Sequence, residues 1–101
     1  VECLRTLDRL RAVGRYADDA IAERREAVYR LMASMNVVEV SRSILSRAAH
    51  PLPTALGTLD AIHLATAQLW KEQANAELQL ATHDMALAIA ARATGLSVIG
   101  V

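Results

Sequence analysis

Two aspartates stand where a fold can put them to chemical use. Asp60 falls in the first turn of a predicted helix, and Asp84 at the start of another, just past the end of a predicted strand. An open α/β sheet gathers its functional groups in the crevice beyond the carboxyl ends of its strands. Both aspartates are near positive helix ends, which keep a carboxylate ionised. Ionised carboxylates brought together repel one another unless a cation sits among them, and hard oxygen ligands select Mg²⁺ or Mn²⁺. Each aspartate also has an ordinary explanation when taken alone, because Asp is a favoured N-cap.

The other reactive side chains point to weaker chemistry. His63, three residues after Asp60, reads as a packed, hydrogen-bonded histidine. His50 precedes Pro51 and belongs to a loop, and His83 lies beside Asp84 at the edge of the candidate site. Metal-free RNA cleavage by two histidines and a lysine is rejected, because Lys71 lies toward the far end of its helix from Asp60. Cys3, the single cysteine, has no paired histidine signal and reads as core packing. There is no Gly-rich phosphate loop, zinc spacing or Ser-centred nucleophile motif.

The elements that must carry these residues follow from periodicity. Val1, Leu4, Leu7 and Leu10 mark one face of an amphipathic helix that stops at Gly14. Asp18 and Asp19 open a second helix with a buried stripe of Ile21, Val28, Leu31, Met32 and Met35 and a wet face at residues 23–26. The β-branched run Val37-Val38-Glu39-Val40 predicts a short strand. Ser41 caps a helix through Ala48, which His50-Pro51-Leu52-Pro53 cannot continue. Thr58 is the candidate cap of a largely buried helix. Leu59, Ile62, Thr66, Leu69 and Trp70 share one of its faces, widened by Ala61, Ala65 and Ala67. Strands at 78–81 and 97–101 flank a helix capped by Asp84 and stopped by Gly95. This alternation favours a parallel sheet.

A chain of 101 residues, 53% of them hydrophobic, suits one small domain with a real core. Eleven basic residues balance eleven acidic ones, which excludes an overall basic field but not a local basic patch. A lone cysteine excludes an internal disulfide and fits a reducing cytoplasm. No apolar run approaches a membrane span. The chain opens at Val1 directly as helix, without an initiator Met or a cap, which leads us to expect residues upstream.

Three segments carry a family resemblance. Leu59-Asp60-Ala61-Ile62-His63-Leu64-Ala65-Thr66-Ala67 resembles the DAIHLATA-type stretch of PIN domains. Leu80-Ala81-Thr82-His83-Asp84, with the following helix, Gly95 and Val98-Ile99-Gly100, resembles the family's closing unit. Val1-Glu2-Cys3-Leu4-Arg5 resembles the helix that carries the family's glutamate. The segments come in family order and together cover most of the chain. The resemblance implies an α/β protein with a PIN-like three-layer α/β/α fold and a short parallel sheet, residues 1–101 forming the C-terminal portion of a single domain. Family members open with a strand ending in an aspartate, upstream of the glutamate. Asp8, Asp18 and Asp19 follow Glu2, so that first strand and first aspartate are expected to be missing from this sequence.

The same resemblance implies a VapC-like, metal-dependent endoribonuclease, usually the toxin of a type II toxin–antitoxin pair. Glu2, Asp60 and Asp84 match three of the family's acidic positions and would hold Mg²⁺ or Mn²⁺, with Thr82, His83 and Arg5 around them. Arg5, three residues after Glu2, equally suits a plain ion pair with it. An RNA substrate, a cognate antitoxin and a homodimer are the expected partners, with no membrane involved. Two other functions fit the residues. One is a catalytically incomplete remnant that dimerises and binds an antitoxin through the apolar stripe of residues 18–35. The other is a helical adaptor without parallel strands.

Overall fold

A computed structural model describes all residues from Val1 to Val101. They divide into two compact units, Val1–Val37 and Val38–Val101.

The first unit is a pair of helices, α1 (Glu2–Ala12) and α2 (Asp18–Ala33), which pack on each other. Leu4, Leu7 and Leu10 are half-buried along α1, and the Arg25 guanidinium meets the Asp8 carboxylate at 3.2 Å. The expected stripe of α2 is only partly used. Ile21 is buried and Val28 half-buried, but Leu31, Met32 and Met35 are 56%, 43% and 54% exposed. α1 contributes only a narrow face, which covers the N-terminal part of that stripe and leaves the rest in solvent. Cys3 is also exposed, contrary to the core position expected for it.

The second unit begins with a correction. Residues 37–40 form no strand, and Val37, Val38 and Val40 stay exposed. β-branched composition favours extended backbone, but a strand also needs a partner to satisfy its N–H and C=O groups. None pairs here, so the sheet has two strands instead of the three expected. Ser41 caps α3 (Arg42–Ala48) as its Oγ accepts the Ile44 N–H at 3.3 Å. α4 runs Thr58–Ala74 with Gly57 rather than Thr58 at its N-cap, and the Gly57 carbonyl accepts the Ala61 N–H.

The buried face of α4 is Ala61, Leu64, Ala65 and Ala67, so the predicted alanines do line the contact. Ile62, Thr66 and Leu69 are only half-buried, and Leu59 and Trp70 are 70% and 44% exposed, contrary to the face expected for them. The small side chains let neighbouring helices approach around Leu64, and Leu59 and Trp70 are left at the margins of the contact. α3 and α5 (Met85–Ala93) pack against α4. Leu64, Ala67, Leu87, Ala90, Ala91 and Leu96 form the core, covered by Leu52, Leu56, Leu78, Leu80 and Val98. β1 (Gln79–Ala81) and β2 (Ser97–Ile99) pair in parallel with Leu80 opposite Val98. α5 is the crossover between them, ending at Thr94 and Gly95 as the sequence indicates. No helix of the chain is long and apolar enough to cross a membrane.

Candidate functional site at the strand ends

Because β1 and β2 are parallel, both of their carboxyl ends open at one edge of the sheet. The segment that leaves β1 is fixed there by four hydrogen bonds. The Thr82 N–H donates to the Ile99 carbonyl at 3.0 Å, extending the ladder by one residue. The Thr82 Oγ accepts the Asp84 N–H at 3.0 Å. Asp84 Oδ1 then accepts the Leu87 N–H at 2.8 Å and caps α5. His83 Nδ1 lies 2.6 Å from the Gly100 carbonyl. A carbonyl only accepts, so Nδ1 carries the proton, and in a neutral ring Nε2 remains as a free acceptor.

Gly100 makes this closure possible. Its φ is +98°, and a Cβ at this position would stand 2.6 Å from the Thr82 carbonyl oxygen. Any side chain would push the β2 end away from Thr82 and break the His83 contact. The sequence held only a weak sign of this, a glycine directly after a short β-branched strand.

Capping uses one oxygen of Asp84 and leaves the other without a hydrogen bond; the residue itself is exposed. Asp60 sits in the first turn of α4, half-buried, on a helix whose N-cap supplies no side-chain acceptor. Glu2 occupies the first turn of α1 in the other unit, exposed. The ion pairs of the chain join Arg25 to Asp8, Arg30 to Glu26 and Arg47 to Glu72. Glu2, Asp60 and Asp84 are therefore left without a cationic side chain, and Arg5 does not pair with Glu2.

Within neither unit do three His, Cys, Asp or Glu side chains gather into a group able to hold a metal ion. Asp60 and Asp84 lie in the second unit, and each begins a helix, where the peptide dipoles favour negative charge. Their donor chemistry suits a hard divalent cation: anionic oxygens, with no sulfur or imidazole required. His63 is exposed, which corrects its expected packed position. The Lys71 ammonium donates to the Gly95 carbonyl at 3.3 Å and so helps to close the C-terminal end of α5.

The chain is similar to "Ribonuclease VapC46" of Mycobacterium tuberculosis (strain ATCC 25618 / H37Rv), 40% identical over 76 residues. The alignment covers 74% of this chain and 55% of that protein, so the chain spans about half the length of the curated relative it matches. No family model matches the chain, and no solved structure does.

Proposed function

We propose that the chain is the C-terminal part of a PIN-domain, VapC-like endoribonuclease, the toxin of a type II toxin–antitoxin pair acting in the cytoplasm. In this proposal residues 1–101 belong to one three-layer α/β/α domain. The observation that carries it is the 40% identity to a ribonuclease over 76 residues. The geometry at the strand ends supports it, since an exposed aspartate is held rigidly with one oxygen free.

Asp84 and Asp60 would hold Mg²⁺ or Mn²⁺. A bound divalent ion supplies a water of lowered pKa and charge stabilisation on the phosphate. The chain's own residues position that chemistry. The Leu87 N–H fixes the plane of the Asp84 carboxylate, and Thr82 fixes its backbone. His83, locked through Nδ1 to Gly100, would present Nε2 as an acceptor at the rim. Arg5 would steady a phosphate near Glu2. The expected products carry a 5′-phosphate and a 3′-hydroxyl.

The test is cleavage of structured RNA with Mg²⁺ by the protein as encoded from its start codon. Asp84→Asn should lower the rate about 100-fold or more, and undiminished cleavage by that variant removes the assignment. A second reading is favoured by the exposed Leu31, Met32 and Met35 of α2. Here the chain is a non-catalytic module whose α2 face binds an antitoxin or a second copy. It predicts no turnover with Mg²⁺ or Mn²⁺ and a loss of association on Leu31→Asp.

A further inference from the structure

α3 has two unlike faces. Ile44 is buried on one side. Arg42, Ser43, Ser46 and Arg47 follow the i, i+1, i+4, i+5 spacing of one face that runs from solvent to the edge of the buried side. With His50 and with Leu69 of α4 they line an open recess of about 410 Å³. The lining holds two guanidiniums, an imidazole and two hydroxyls, and no carboxylate.

This charge is local. The Val38–Val101 unit carries five acidic and four basic residues, so no general positive field produces it. Arg47 is held in place by Glu72, Nη1 to Oε1 at 2.8 Å and Nη2 to Oε2 at 2.9 Å, a planar two-bond clasp between α3 and α4. Arg42 enters none of the ion pairs and has its full charge available. A lining with one free guanidinium and several neutral donors matches an oxyanion, because guanidinium presents a planar fork to phosphate oxygens.

We propose that the α3–α4 recess binds a phosphodiester of the RNA backbone, with Arg42 as the principal charge and His50, Ser43 and Ser46 as hydrogen-bonding groups. The ligand class rests on the ribonuclease assignment. The site is separate in composition, since its lining contains neither Asp60 nor Asp84. Contacts of this kind set the position of a strand without reading its sequence. The recess would hold the substrate in register while cleavage takes place elsewhere.

The test measures binding alone. Fluorescein-labelled single-stranded RNA is titrated with the full-length protein in EDTA across a salt series, read by anisotropy. The double variant Arg42→Gln/His50→Gln should weaken binding about tenfold and lower the salt slope by about one. Arg42→Lys should recover part of the affinity. Arg92→Gln makes the same charge change outside the recess and should leave affinity and slope near those of the parent. An unchanged slope in the double variant, or an equal loss in Arg92→Gln, overturns the proposal. Inorganic phosphate that shifts the Ser43 and Ser46 amide resonances, while the double variant binds RNA normally, also overturns it by leaving a free-phosphate site only. Asp84→Asn should bind RNA at least as tightly as the parent, so failure of the nuclease assignment appears in a different variant.

Discussion

The two units of this chain are built to different standards. Val38–Val101 has a closed core of leucines and alanines, in which Leu64, Ala65, Ala88, Ala90 and Ala91 are fully buried. Val1–Val37 has one buried residue, Ile21, and α1 has none. Short helix pairs draw most of their stability from packed apolar faces. The second unit therefore has the means to hold a site rigid. The first offers an amphipathic surface much of which has no partner within the unit. The best-positioned candidate groups, Asp84, Thr82 and His83, lie in the well-packed unit, whereas Glu2 and Arg5 lie in the other.

The sharpest way to break this contrast is to open the better core. Leu64→Ala should cost about 2–5 kcal/mol, because a fully buried leucine leaves a cavity in a tight alanine-rich interface. Leu7→Ala, at a half-buried position of α1, should cost about 1 kcal/mol. Urea denaturation of both variants measures the difference, and equal losses would erase the distinction between the units.

Gly100→Ala comes next. It meets both a positive φ and a 2.6 Å clash with the Thr82 carbonyl, and should cost about 1–3 kcal/mol. The His83 ring should also lose its restrained NMR environment. Asp84→Ala should cost about 0.5–2 kcal/mol through the lost cap, whereas Asp84→Asn, an equally good cap, should be near neutral in stability. The pair separates the helix-capping role of Asp84 from any role in chemistry.

The smallest effect concerns pH. The hydrogen bond from Arg47 holds the Glu72 carboxyl below its usual range. A carboxylate with a lowered folded pKa stabilises the fold above its unfolded pKa, and this contribution fades as pH falls through the folded value. Acid titration of the second unit should therefore show a loss that Glu72→Gln abolishes, followed by thermal melts between neutral and acidic pH.

What the sequence reveals about this fold is its local chemistry. The caps Ser41 and Asp84 and the stops at Gly14 and Gly95 each act within a turn of their own position, and the structure has all four. The parallel pairing of β1 with β2 was legible because only α5 separates the two strands. The features that escaped depend on distant partners. Residues 37–40 have strand composition, but nothing pairs with them. The buried face of α4 is set by which helices pack against it, so the alanines could be placed in the contact from sequence, but Leu59 and Trp70, assigned to it by size and spacing, lie outside it. The Arg47–Glu72 clasp joins residues 25 apart, and the Gly100–Thr82 approach exists only once the sheet has formed. Within the candidate site, Asp60 and Asp84 could be read from their helix starts. The restraint on His83 could not.

The central claim is that Asp60 and Asp84 share one divalent cation. Calorimetric titration of the full-length protein with Mn²⁺ tests it directly, using Asp60→Asn and Asp84→Asn as companions. One ion should bind per chain, and each substitution should sharply weaken that binding while circular dichroism stays unchanged. Binding that survives both substitutions, or no binding by the unsubstituted protein, would contradict it.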